Sequence, residues 1–248
     1  MSRKIIKFSA IDSTHSHALR LIGRRDISKY PDGCVLIADT QTIGVGRCHR
    51  RWVSPPGNLY TSILSPIPPS EDFCQLSLTI GCAARETIRH FLRESNFLRL
   101  HWPNDVYYGN RKICGILAAS TDGWLIISVG INVNVSPDIG SAVSLKDILG
   151  DDVPKVPDVL DVLLKNVDDW LCLLRHVGFF RIRNYWLQNV NEISSRVVVR
   201  NGKESIVGIF CDLDERGRLV LEKEDGERLF ISSGDLFVNS EIIMVSYE

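Results

Sequence analysis

The sequence predicts an α+β fold that ends in a small all-β module. Short apolar runs bounded by glycine, proline and polar residues recur through the first half of the chain. Two longer stretches instead space their apolar residues as helices do. From residue 193 the pattern turns to short alternating strands separated by Asn201-Gly202, Arg216-Gly217 and Asp225-Gly226, which are hairpin signals. That change predicts two domains, 1–192 and 193–248.

In chain order, residues 4–11 read as an opening strand. Asp12-Ser13-Thr14 are helix-capping types, and Ala18, Leu19 and Ile22 follow at helical spacing. Cys34–Ala38 is a short apolar strand, residues 40–57 are loop, and Asn58–Leu64 is strand again. Ser70 is the expected cap of a helix carrying Leu76, Ile80, Ala83, Ile88 and Phe91. Strands are expected at Leu98–Trp102, Lys112–Ala119 and Trp124–Val129, the last two joined by Asp122-Gly123. Val159–Leu174 is an amphipathic helix, with Gly178 as its stop. The closing module places strands at Arg196–Arg200, Ile206–Leu213, Arg218–Lys223 and Arg228–Ile231, which predicts a small barrel.

Composition narrows the function. The 248 residues carry 29 basic and 30 acidic side chains, a formal net charge of −1. That balance argues against a protein that coats nucleic acid. No apolar run is long enough for a membrane span, and the charged start has no apolar stretch behind it. The seven cysteines stand singly, so they read as reduced thiols of a cytoplasmic protein. No spacing of His, Cys, Asp or Glu reads as a metal site.

Four segments could carry chemistry. In residues 41–62, Gly44 and Gly46 allow a sharp bend, and Arg47, Arg50 and Arg51 gather beside them, with Trp52 offering a flat face. A glycine loop with guanidinium forks suits an anion such as phosphate, and it is equally the pattern of a solvated basic loop. In residues 101–117, Asn104 offers an amide and Asp105 a carboxylate, and Lys112 enters an apolar strand that contains Gly115. A lysine there needs an anionic partner or must snorkel to water. The stretch Ser128–Asn134 sets Asn132 and Asn134 at a strand end, where asparagines usually make turns. Asp12-Ser13-Thr14 opens a helix, as cap, anion site or both.

Taken together and in this order, the four segments resemble the biotin–protein ligase family. That family runs from an Asp-Ser-Thr opening through a Gly-Arg loop ending in Trp-x-Ser-Pro-x-Gly, then Trp-Pro-Asn-Asp, a Lys-x-x-Gly-Ile-Leu strand and Gly-Ile-Asn-x-Asn. The match covers residues 6 to 235. The resemblance implies a mixed-sheet catalytic domain of the biotin/lipoate ligase type with an SH3-like C-terminal barrel. It implies that ATP activates biotin as biotinyl-AMP, with Mg²⁺ assisting. A lysine of a biotin carboxyl carrier protein, or of a carboxylase's carrier domain, then takes the biotinyl group.

Residue by residue, the resemblance gives Lys112 and Arg47 the charge stabilisation at phosphate, and Asp105 the second step. It gives biotin to Ser13, Thr14, Gln41, Gly44, Arg47, Lys112 and Gly115. Trp52, Asn104, Asn132 and Arg50 go to ATP and the adenylate, with the Gly44–Arg51 loop closing over them. Asp-Ser-Thr starts at residue 12, so the resemblance is to the monofunctional type without an N-terminal DNA-binding domain. It leaves a homodimer as a possible assembly. The chain departs from the family at Val45 (arginine), His49 (glycine), His15 (asparagine) and His101 (lysine). The histidine at 101 is expected to soften ATP binding. Two other functions fit the same segments: a lipoate or octanoate ligase, and a biotin-binding sensor without catalysis.

Overall fold

A computed structural model describes residues 3–66, 72–137, 140–202 and 204–238. Seven strands form the first sheet: β1 (Lys4–Phe8), β2 (Cys34–Ala38), β3 (Leu59–Pro66), β4 (Leu98–His101), β5 (Asp105–Tyr108), β6 (Arg111–Thr121) and β7 (Trp124–Ile131). Their order is β1-β2-β3-β7-β6-β5-β4. Only the β1–β2 pair is parallel, so the sheet is mixed.

Both faces of the sheet are covered, which is why β2 is apolar throughout. Val35 and Ile37 face the main core, and Cys34 and Leu36 face the other side, where Ala18 and Ile22 of α1 (Thr14–Gly23) pack. Strand β7 alternates likewise. Leu125, Ile127, Val129 and Ile131 enter the main core, and Ile126 meets the α1 side. Period-two alternation leaves Ser128 and Gly130 on that second face. There Ser128 meets His15 at the start of α1, and both residues line a cavity.

The main core lies under α2 (Phe73–Phe91), α4 (Val156–His176) and α5 (Phe179–Gln188), with α3 (Leu145–Leu149) between β7 and α4. Asp72 caps α2, its carboxylate accepting the Cys74 N–H at 3.0 Å. The expected cap, Ser70, lies outside the described residues. Helix α4 is longer than expected, because Pro157 is tolerated in its first turn. Gly178, at φ 93°, ends α4 and leads directly into α5. The sequence reading stopped at that glycine and missed α5, which mixes aromatic and charged residues. It also missed β5, only four residues long, and the short α3.

The expected opening strand over 4–11 stops at Phe8. Pairing resumes as a single parallel bridge between Ile11 and Gln41. That bridge sets Gln41 beside the start of α1. The C-terminal module is an antiparallel sheet of β8 (Arg196–Asn201), β9 (Glu204–Leu213), β10 (Leu219–Glu222), β11 (Arg228–Ile231) and β12 (Asp235–Val238), ordered β11-β10-β9-β8-β12. Strand β12 had no clear signal in the sequence. Phe210, Leu213, Leu219 and Leu236 join the module to the main core.

Candidate active site

Sheet register builds the floor of a cavity of about 210 Å³. Tyr60 of β3 pairs with Gly130 of β7, Gly130 with Gly115 of β6, and Gly115 with Asp105 of β5. One row across four strands therefore carries two adjacent glycines. The Trp52 indole lies on them. A Cβ on Gly115 would come within 2.8 Å of that ring, and one on Gly130 within 2.7 Å. This is the close approach that requires glycine at both places. Lys112 reaches Asp105 Oδ2 at 2.5 Å, and its ammonium stands 5.3 Å from the centroid of the Trp52 ring. The apolar strand holds its lysine through a carboxylate, as burial demands.

The start of α1 and the neighbouring strands supply a polar wall. Gln41 Oε1 accepts the Thr14 N–H at 2.8 Å, and Gln41 Nε2 donates to Ser54 Oγ at 2.9 Å. Ser62 Oγ donates to Thr14 Oγ1 at 2.9 Å and lies 2.8 Å from Ser128 Oγ. His15 Nδ1 meets the same Ser128 Oγ at 2.8 Å. Burial pushes the His15 pKa below its ordinary value of 6.5, so the ring is neutral at pH 7. Ser13 caps α1 by accepting the Ser16 N–H at 3.3 Å. Ser13, Thr14, His15, Gln41 and Ser128 all line the cavity.

The roof is the Gly-Arg loop. Gly46, Arg47, Arg50, Arg51 and Trp52 line the cavity. Arg47 donates to Asn104 Oδ1 at 3.2 Å and to the Gly234 carbonyl at 3.0 Å. Asn104 in turn donates to the Ile116 carbonyl. Arg50 pairs with Asp235 Oδ1 at 2.7 Å, and Arg47 stands 3.8 Å from the same oxygen. The first residue of β12 and the glycine before it thus hold two loop arginines. Nothing in the sequence pattern singled out Gly234 or Asp235, and the acidity of this module reads as plain surface.

Ten of the expected site residues line this one cavity: Ser13, Thr14, Gln41, Arg47, Arg50, Trp52, Asn104, Asp105, Lys112 and Gly115. Two expected contacts, Gly44 and Asn132, do not. Gly44 accepts the Trp52 N–H at 2.8 Å, and a Cβ there would meet the Trp52 carbonyl at 2.3 Å, so it closes the loop upon itself. Asn132 is buried, and its amide donates to the Val143 carbonyl at 3.1 Å. Its Oδ1 is buried without a protein partner among the described residues. His101 does not line the cavity either. Its Nδ1 meets Glu192 at 2.7 Å and its Nε2 meets the Leu236 carbonyl at 3.2 Å. It ties β4 to the C-terminal module. The sequence reading missed Ser62 and Ser128, whose value comes from the register of β3 on β7.

No group of three or more His, Cys, Asp or Glu among the described residues could hold a metal ion. None of the described helices is long and apolar enough to cross a membrane. The sequence model of the biotin/lipoate A/B protein ligase family matches residues 8–136, and that of the biotin protein ligase C-terminal domain matches residues 194–238. A biotin–[acetyl-CoA-carboxylase] ligase of Paracoccus denitrificans is 30% identical over 239 residues, covering 91% of this chain and 97% of that protein. The ligase of the same name from Mycobacterium tuberculosis is 30% identical over 237 residues, covering 93% and 88%. The biotin protein ligase of Aquifex aeolicus, solved with biotin and ATP, superposes with a TM-score of 0.81 at 27% identity, covering 96% of this chain and 99% of that one.

Proposed function

The chain belongs to the biotin/lipoate A/B protein ligase family, and from that premise we propose that it is an ATP-dependent biotin–protein ligase working through biotinyl-AMP. Its acceptor is a lysine on a carboxylase's biotin carrier protein or carrier domain, and it works in the cytoplasm. The relatives named as acetyl-CoA-carboxylase ligases support that acceptor class. The observation that carries the reading is the Lys112–Asp105 pair beside the Trp52-covered glycines, under a loop with three arginines.

In the first step a carboxylate oxygen of biotin attacks the α-phosphorus of ATP, and pyrophosphate leaves. Two anions must meet, so fixed positive charge is the main requirement. Lys112 supplies it from the floor and Arg47 from the roof. Mg²⁺ fits as a companion of the ATP phosphates, which with water satisfy its preference for oxygen ligands. Trp52 offers a ring face to the adenylate, and the loop keeps water from the reactive anhydride. Asn104 sits within reach of the same loop. In the second step the acceptor amine attacks the acyl carbon, the amide forms and AMP leaves. The amine has an ordinary pKa of about 10.4 and must lose a proton. Asp105, released from Lys112 when the latter turns to phosphate, is placed to orient the amine and take that proton.

The test is biotin-dependent exchange of labelled pyrophosphate into ATP. We expect exchange in the native protein and a fall of about 10²–10³ in Lys112→Ala, the cost of losing one charge-stabilising donor. Exchange driven by lipoate or octanoate but not biotin would overturn the substrate. Biotin binding without any exchange would overturn the enzyme.

A further inference from the structure

The direction of one hydrogen-bond chain fixes which nitrogen of His15 carries its proton. The Thr14 backbone N–H can only donate, so the Gln41 amide must present its oxygen there, 2.8 Å away. Gln41 Nε2 then donates to Ser54 Oγ at 2.9 Å, and Ser54 gives its only hydrogen to the Trp52 carbonyl at 3.0 Å. One end of the chain is now set. Thr14 Oγ1 spends its hydrogen on Gln41 Oε1 at 3.2 Å and so accepts from Ser62 at 2.9 Å. Ser62, its hydrogen spent, accepts from Ser128 at 2.8 Å. Ser128 in turn can only accept from the group it faces, His15 Nδ1 at 2.8 Å. Nδ1 therefore carries the hydrogen. The ring is buried and neutral, so Nε2 is left as a bare acceptor. No described residue donates a hydrogen bond to it.

We propose that His15 is a specificity-determining residue whose Nε2 accepts a hydrogen bond from a ring N–H of the acid substrate, a cyclic urea. This rests on the reading of the cavity as a biotin site. His15 and Ser128 both line that cavity. Biotin carries two urea N–H groups. The chain of octanoate and the dithiolane of lipoate carry none. A site that offers a buried acceptor favours the ligand that can use it and disfavours the one that leaves it unpaired. The chain of hydroxyls is what prevents His15 from presenting an N–H there instead.

Two measurements test the inference. In native protein with ¹⁵N-labelled histidine, the two ring nitrogens are told apart by their chemical shifts. We expect His15 Nδ1 protonated and Nε2 not, and the reverse tautomer would overturn the proposal. Titration of biotin against His15→Phe should then show affinity weakened by ~10–100-fold, the range for one buried hydrogen bond lost. The same titration uses biotin methylated at one or the other urea nitrogen. One of these analogues should bind native protein weakly and be indifferent to His15→Phe. If the variant weakens biotin and both analogues alike, or weakens none, His15 does not read an N–H. If native protein binds no biotin at all, the reading of the cavity falls instead, and the labelled-histidine spectrum still decides the tautomer.

Discussion

The floor and the roof of the cavity are built in different ways. The floor is a row of paired strands, with Tyr60, Gly130, Gly115 and Asp105 placed by register. To move one of them, the ladder would have to slip, and a slip of one residue turns every side chain to the other face. The roof hangs on a few side-chain bonds: Arg47 to Asn104 and Gly234, and Arg50 to Asp235. The Arg50 side chain is 58% exposed, where a single ion pair is worth little. The floor thus fixes positions and the roof supplies charge that can let go. The proposed reaction, which admits two substrates, shields an anhydride and then admits a third, calls for both.

The contrast can be broken at either side. The largest effect is expected at the floor. In Gly130→Ala the new Cβ meets the indole at 2.7 Å, so Trp52 must leave the β6–β7 glycines. Overpacking of this kind costs about 1–3 kcal/mol. We expect a lower melting temperature and pyrophosphate exchange reduced ~10-fold or more, with Gly115→Ala close behind. Exchange at the native rate in both would show that Trp52 does not need that seat.

A smaller effect is expected at the roof. Asp235→Ala removes the acceptor of Arg50 and the near neighbour of Arg47. Unfolding stability should change by less than ~1 kcal/mol. The KM for ATP should rise several-fold while kcat for a single turnover of bound adenylate changes less. Amide exchange should quicken in residues 44–52 and stay unchanged in β6 and β7. Equal quickening in both regions would show that floor and roof are held equally firmly.

The smallest effect lies at the start of α1, beside the polar wall of the cavity. Arg20 grips the Asp12 carboxylate at 2.7 Å and holds its pKa at about 2, below the ordinary 3.8. The depressed value means that the pair stabilises the fold above about pH 4 and loses that contribution as pH falls toward 2. Both side chains are more than a third exposed, so the contribution is at most ~1 kcal/mol. Asp12→Asn should be slightly less stable than native protein at pH 7, with the gap closing by pH 2. A gap of equal size at both pH values would assign the loss to packing.

The same contrast explains what could be read in the sequence. Half of the floor was legible because its demands are local: a glycine in an apolar strand, a lysine at its head, a carboxylate seven residues earlier; Tyr60 and Gly130 take their place only from strand register. The loop was legible from its arginines and glycines. What the loop rests on was not. Asp235 sits in an acidic module where any carboxylate looks alike, and only the fold brings it 2.7 Å from Arg50. Ser62 and Ser128 are ordinary strand serines until β3 pairs with β7. Asn132 and His101 differ for the reverse reason. Their place in a motif pointed to the nucleotide, yet neither lines the cavity, and the Val143 carbonyl accepts from one while Glu192 and Leu236 meet the other. Strand β12 and α5 escaped because neither has a period or punctuation strong enough to stand out.

The Arg47–Gly234 bond joins residues 187 apart in the sequence. During synthesis, the strands of the floor leave the ribosome well before Gly234 and Asp235 do, and N-terminal units fold first. A nascent chain can therefore hold a finished floor while its loop has nothing to lean on. On the proposed reaction, the last acquired property would be the grip on the adenylate, and a chain stalled just short of β12 would bind without keeping what it made.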